Sequence, residues 1–297
     1  MNSQTGNPWR RANCPVCGAD RPAFLTHDWQ TVAGRRYTFD LVRCQICGMV
    51  YINPRLNREA VTGTGGGGAW HDALQVNRPI YEAGCRRLKA ILRAPGTPAL
   101  LDIGCAYGDF PSVASEHGFS VTGLEIDQQV AAAARARGFV VYDEPLEHLS
   151  LPGESFDVIT LWDVIEHLND PKSLLRAALC LLRPGGLLSF HSGNAAFQVT
   201  KGRILGVLRP GKGPYNAPFQ HVSHFSPGTA RRLLCEVGDF DHLEFDHLEF
   251  GHLDTLRYQS RPKYLAMKTY NKATRWLNRA GLPLWTTSLV AFARKAG

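Results

Sequence analysis

Three sets of side chains in this 297-residue sequence are spaced for chemistry. The first lies in Pro98–Gly108, PALLDIGCAYG, and Ser120–Asp127, SVTGLEID. An apolar run, Ala99–Ile103, carries Asp102 and ends in a turn built on Gly104, Ala106 and Gly108. A second apolar run ends in Glu125. A strand, a small-residue turn, a helix and a strand tipped by a carboxylate form a βαβ unit suited to a nucleoside. Small residues let the ligand come close to the backbone, and Glu125 is expected to accept from two adjacent ribose hydroxyls. The turn does not follow the GxGxxG spacing, which disfavours a nicotinamide oxidoreductase.

The second set is Cys14, Cys17, Cys44 and Cys47, two CxxC pairs each followed by glycine. Two such knuckles brought together by a hairpin give four thiolates in a tetrahedron, which suits Zn²⁺ and leaves no open position. A structural zinc is therefore expected, with redox-active thiols as the alternative. Cys85, Cys105, Cys180 and Cys235 stand singly in apolar surroundings and are expected to be small core residues. The third set is histidine. His221 and His224 follow the fifth expected strand, where an acceptor should enter, and are the candidate acid–base or anchoring groups. His167, after the fourth strand, is a third candidate base, with capping a helix or ordering Glu166 as its alternative role.

Apolar runs at Ala99–Ile103, Ser120–Glu125, Phe139–Tyr142, Ser155–Trp162 and Leu187–Ser192 alternate with helical segments Phe110–Gly118, Gln128–Arg137 and Asp170 to about Leu182. That alternation predicts α/β architecture with a parallel, doubly wound sheet. Asp170-Pro171 places a capping side chain and a first-turn proline at the start of the last of these helices. Ahead of this unit, residues 1–57 form the zinc-ribbon segment, with strands in Thr31–Gly34, Arg35–Arg43 and Met49–Pro54. Residues 58–96 are a linker, broken by TGTGGGGA at Thr62–Ala69, and a helix over Arg78–Leu92 in which Tyr81 is expected to pack, with contact to the ligand as the alternative. The main domain, 97–297, is expected to carry an irregular insertion over 197–220. There Lys201, Arg203, Arg209 and Lys212 could meet an anionic acceptor, and Phe197, Tyr215 and Phe219 an apolar one; a solvated basic loop is the alternative. Asp241–Phe250 reads as a sixth strand, 251–283 as a basic helical insertion expected to pack on the sheet, with an anionic membrane surface as the alternative partner of its amphipathic Ser260–Leu282 stretch, and Leu284–Arg294 as the final strand.

The spacing Asp102-x-Gly104-x-Ala106-x-Gly108 resembles motif I of class I S-adenosylmethionine-dependent methyltransferases, with Ala106 where glycine is more usual. SFDVITLWDVIEHLNDP, from Ser155 to Pro171, followed by LLRPGG ending at Gly186, resembles the segment carrying their fourth strand and its helix. The resemblance runs from about Leu100 to Gly193, and His221–Pro227 extends it. An N-terminal zinc-binding segment is similar to that of sugar and small-molecule methyltransferases. The resemblance implies a Rossmann-like, seven-stranded sheet whose antiparallel last strand lies between the fifth and sixth. It also implies that the helix over Arg78–Leu92 covers the cofactor and that this cofactor is the donor, S-adenosyl-L-methionine. Gly104, Ala106 and Gly108 would frame its methionine part, Asp102 would face its ammonium group, and Glu125 would hold its ribose. Asp143–Leu146, with Asp143 the named candidate, would meet adenine, and Leu161–Asp163 would offer backbone oxygen or the Asp163 carboxylate near the ammonium.

At 44% hydrophobic the chain can bury a substantial core. Its net charge of +7 is spread widely and, without a basic–aromatic stripe, makes nucleic acid a minor partner. No apolar run approaches a membrane span, and MNSQTGNPWRR has no signal-peptide core, so a cytoplasmic protein is expected. The expected reaction is methyl transfer to a small-molecule acceptor, at a hydroxyl of a sugar-containing or specialised metabolite. The alternatives are a zinc-ribbon recognition protein with a non-catalytic methyltransferase-like domain, and methylation of RNA or protein. Trp162-Asp163-Val164-Ile165 stands where an amine-methylating Asn-Pro-Pro-Tyr motif would be. Nothing in the sequence fixes the oligomeric state.

Overall fold

The computed structural model describes residues 9–32, 35–56, 73–92, 96–208, 220–246, 265, 269, 272–273 and 286–297. The TGTGGGGA break, Arg209, Lys212, Tyr215, Phe219, the side chain of Arg203 and nearly all of 251–283 lie outside the described residues. In chain order the elements begin with β1 (Trp9–Arg10), β2 (Pro22–Val32), β3 (Arg35–Cys44), β4 (Val50–Ile52), β5 (Arg55–Leu56) and α1 (Ala73–Leu92). The main unit follows as β6 (Ala99–Ile103), α2 (Asp109–Glu116), β7 (Ser120–Leu124), α3 (Gln128–Ala136), β8 (Val140–Tyr142), β9 (Phe156–Trp162), α4 (Pro171–Leu181) and β10 (Leu182–Gly193). The remainder is α5 (Ala195–Leu208), β11 (Ser223–His224), α6 (Pro227–Val237), β12 (Phe240–Asp246) and β13 (Ser288–Lys295).

Seven strands form one sheet in the order β12-β13-β10-β9-β6-β7-β8. Strands β8, β7, β6, β9 and β10 are parallel, and β13 runs antiparallel to both of its neighbours. This is the Rossmann-like arrangement of methyltransferases, with the last strand inserted where the resemblance implied. Its central strands read as continuous apolar runs because both faces are covered: Leu100, Leu101, Val158, Ile159, Leu187 and Leu188 are all fully buried. On one face Ile80 and Leu88 of α1 pack with Phe110 and Val113 of α2. On the other, Leu175 and Leu179 of α4 meet Leu233 and Leu234 of α6. Asp127 and Asp170 cap α3 and α4, each accepting from two backbone N–H groups of the first turn.

A second sheet, ordered β11-β4-β3-β2, ends β3 at Cys44, with Cys14, Cys17 and Cys47 in the turns beside it. Its outermost strand is not from the N-terminal segment. Ser223 and His224 of β11 pair with Tyr51 and Val50 of β4. Behind the sheet, Cys14, Val16, Cys44, Met49 and Tyr51 share one apolar cluster with Phe225, Leu233 and Leu234. The ribbon is thus welded to the main unit by a shared strand and a shared core.

Three expectations need correction. The insertion over 197–220 is not irregular throughout, since α5 carries it as helix to Leu208. Its stretch QVTKGRILGVL contains no proline before Pro210, so the backbone can keep its helical bonds. Cys85 and Cys105 are buried as expected, but Cys180 and Cys235 are exposed, on the outward sides of α4 and α6. The fifth strand begins at Leu182 rather than Leu187, with a register shift between those residues that absorbs Arg183–Gly186.

Candidate active site

The carboxyl ends of β6, β7, β9 and β10 meet along one edge of the sheet, and their turns carry the polar groups of the site. After β6 the chain turns through Gly104 (φ 74°), Ala106 (φ 46°) and Gly108 (φ 82°), all left-handed. A Cβ on Gly104 would lie 2.4 Å from Cγ2 of Val164, so any other residue there would be strained in its backbone and would have to displace that side chain. Gly108 then opens α2. Ala106 holds the same hand at a cost of about 1 kcal/mol, a local strain of the kind found where a ligand must approach a backbone.

Glu125, one residue beyond β7, ties this turn to its own strand. Its Oε1 accepts from the Asp127 N–H at 2.9 Å and its Oε2 from the Ala106 N–H at 3.2 Å. A carboxylate has four lone-pair directions, so two remain for a diol. Ile126, next in sequence, leaves 46% of its surface exposed, an apolar side chain open to solvent one residue from Glu125. Sequence reading passed over it because a single isoleucine after a strand is unremarkable; its exposure is the signal. Asp143 at the end of β8 is engaged by Arg135, which holds its carboxyl below the usual range.

Asp102 is almost completely buried and accepts a 2.7 Å bond from the Thr160 hydroxyl. Burial pushes its carboxyl up to about 8; the Thr160 bond opposes the shift and the charge of Glu125 adds to it. Leu161 is fully buried within β9, so its backbone rather than its side chain is what it can offer.

Asp163, just past β9, adopts φ 53° and turns its carboxylate to His191 on β10, with Nδ1 to Oδ1 at 2.7 Å. Burial alone would raise the Asp163 carboxyl, but His191, with His221 and His167 beyond it, draws it below the ordinary value. His191 escaped the sequence analysis, although it stands at the tip of a central strand in register with Trp162, the residue before Asp163. Its ring also stacks on Trp162 at 5.5 Å, and Trp162 continues the aromatic wall to Phe110 and Tyr81. Tyr81 therefore packs, as expected.

His221 and His167 meet edge to face at 4.6 Å, and His167 Nδ1 lies 3.1 Å from the Gln220 carbonyl oxygen. Burial pushes His221 down to about 4, with the neighbouring His167 adding to the effect, and it also lowers His167. His224 is only 4% exposed, its backbone committed to β11, and burial takes it down to about 3. The structure thus brings His221 towards Asp163 and sequesters His224 within β11, the edge strand of the ribbon sheet. Glu166 is also buried. Burial and the charge of Asp163 hold its carboxyl well above the ordinary value, and Oε2 has no partner among the described residues.

The four ribbon cysteines converge separately. Their sulfurs all lie within 4.8 Å of one another, with Cys14–Cys47 at 3.4 Å and Cys17–Cys44 at 3.5 Å. A tetrahedral zinc with bonds of about 2.3 Å needs sulfurs roughly 3.8 Å apart, so the donor set fits that ion. Gly18 and Gly48 close the two knuckles by donating to the carbonyls of Cys14 and Cys44.

The seven-stranded sheet with its antiparallel inserted strand defines a Rossmann-like methyltransferase unit. Residues 75–239 match the family described as a methyltransferase domain, and the chain belongs to that family. It is 30% identical over 146 residues to the ubiquinone biosynthesis O-methyltransferase of Aromatoleum aromaticum, covering 46% of this chain and 62% of that protein. The corresponding enzyme of Aeromonas salmonicida is 31% identical over 180 residues, covering 57% and 74%. The chain spans about three fifths of the length of the first of these curated relatives. Among solved structures, it is similar to a SAM-dependent methyltransferase from Archaeoglobus fulgidus, at 19% identity and TM-score 0.50, covering 78% of this chain and 100% of that one. The plantazolicin methyltransferase BpumL, solved with SAH, is similar in fold at 13% identity and TM-score 0.51, covering 76% and 86%.

Proposed function

We propose that the chain is an S-adenosyl-L-methionine-dependent methyltransferase acting on a hydroxyl of a small molecule. The observation that carries the reading is Glu125, held between the Ala106 and Asp127 amides beside a left-handed glycine turn and an exposed Ile126. A carboxylate fixed in that way is prepared for a ribose diol, and Ile126 offers an apolar surface to a purine. Relatives named as O-methyltransferases support oxygen as the methylated atom. A sugar-containing or specialised metabolite is the acceptor class to test first.

When bound, the donor supplies a methyl group on a positively charged sulfur. The residues of this chain orient the partners and deal with one proton. Gly104–Gly108 and Glu125 set the donor, while buried Asp102 offers a carboxylate to its ammonium group. His221, unprotonated at neutral pH, is the proposed group that accepts or orients the acceptor hydroxyl's proton. Asp163, kept ionised and braced by His191, stabilises a positive charge developing on His221. His224 has a structural part, and the four-cysteine ribbon holds a structural zinc.

Titration of the metal-analysed chain with S-adenosylhomocysteine by calorimetry, alongside Glu125→Ala, tests the reading. Saturable binding, weakened at least ~100-fold in the variant as expected for loss of two charge-assisted hydrogen bonds, supports it. Absence of binding by the folded native chain would replace it with the non-catalytic, recognition reading.

A further inference from the structure

We propose that the zinc ribbon positions the acceptor half of the site, fixing His221 and His167 beside Asp163 through β11 and Arg55. The proposal rests on the methyltransferase reading of that site and adds a role for the ribbon that a merely appended module would not have.

Two connections carry it. The first is the shared sheet. The Ile52 N–H donates to the Val222 carbonyl at 3.0 Å, and Ser223–His224 pair with Val50–Tyr51 immediately afterwards. His221 therefore lies two residues before a strand that, among the described residues, pairs with β4 of the ribbon alone. The second is Arg55, only 6% exposed. Its Nε donates to the Ile52 carbonyl at 3.3 Å, and its Nη1 to the backbone and side-chain oxygens of Asn169 at 3.0 and 3.3 Å. Asn169 lies two residues after His167. One buried guanidinium thus joins the ribbon to the loop that carries the second histidine, and the 3.1 Å contact from His167 Nδ1 to the Gln220 carbonyl closes the circuit.

The donor half is closed differently. Gly104 and Cys105 donate to the Leu124 carbonyl, and Ala106 and Asp127 donate to Glu125. Those bonds all lie between β6 and β7 and the turns that follow them. Loosening the ribbon should therefore free the histidines and leave the donor cradle standing.

Hydrogen exchange on the full chain before and after zinc is stripped by a chelator tests this. Exchange at Val222–Phe225 and His167–Leu168 is expected to rise at least ~10-fold, with residues 103–105 and 125–127 protected as before and S-adenosylhomocysteine affinity within about twofold. Unchanged exchange at Val222–Phe225, or loss of donor-half protection and affinity together with it, overturns the proposal. Arg55→Met, which leaves all four cysteines in place, gives a second readout. The ring resonances of His167 and His221 should shift, and the pKa of His221 should climb from about 4 towards its ordinary 6.5 as its burial and the repulsion from His167 relax, the weakened attraction of Asp163 opposing part of that rise. Arg55→Lys should restore part of that shift, and unmoved resonances in Arg55→Met would sink the idea. Failure of the native chain to bind S-adenosylhomocysteine would remove the methyltransferase reading and with it the acceptor role, whereas the exchange and resonance measurements, which need no ligand, decide separately whether the ribbon holds the histidines.

Discussion

At the scale of single residues, Asp102 makes the sharpest demand. Folding raises its carboxyl from 3.8 to about 8, so between those values the folded chain holds a proton that the unfolded chain has released. Its contribution to stability therefore declines as pH rises through that window. An ammonium group placed against it reverses the preference and expels the proton. Binding of S-adenosylhomocysteine at pH 7 should release up to about one proton, seen as a dependence of calorimetric heat on buffer ionisation enthalpy, and Asp102→Asn should abolish the release. No buffer dependence would mean that Asp102 does not face the ammonium. Gly104→Ala should cost about 1–3 kcal/mol in chemical denaturation, because the new methyl meets Val164 at 2.4 Å and φ is already left-handed. These two residues, Gly108 and Glu125 were legible in the sequence because a close turn and a strand-tip carboxylate require particular side chains at a particular spacing. His191 was not. Its partner Asp163 lies 28 positions away, and only the parallel register of β9 and β10 brings the pair together.

At the scale of elements, α6 shows how local rules and tertiary placement divide the work. Ser226 and Thr229 form a reciprocal capping box with Pro227 in the first turn, which fixes where the helix begins and hence where the His221 loop must end. Ser226→Ala should lower stability by about 1 kcal/mol by leaving first-turn amides unsatisfied, measurable as a shifted denaturation midpoint with unchanged slope. A larger slope change would mean that the cap also controls how much of the ribbon docks. Strand and helix identities from β6 to α4 followed from apolar periodicity and, for α4, from the Asp170-Pro171 start signal; the Asp127 cap of α3 emerged only in the structure. The helix over 195–208 did not, because its mixed, weakly patterned sequence QVTKGRILGVL has no clean apolar face to betray the period. β11 was equally hidden: two residues cannot display an alternation, and their pairing depends on a sheet whose other strands lie far upstream.

At the scale of the whole molecule, the sheet order was readable only through resemblance, since no local pattern dictates that β13 should lie between β10 and β12. That placement has a consequence for how the chain is made. β10 is complete at Gly193, but the strand that covers its free edge begins at Ser288. At roughly 5–20 residues per second, a ribosome leaves that edge bare for about 5–20 s while the intervening segment is translated. β12 emerges without its partner for the same reason. A nascent chain arrested before Ser288 should remain open to protease across Leu187–Ser192, whereas one arrested after Lys295 has cleared the tunnel should resist it. Equal resistance in the two would show that another segment covers the gap. The edge between β10 and β12 is thus a vacancy held open during synthesis, where holdase binding and strand-to-strand aggregation compete with the chain's own late strand.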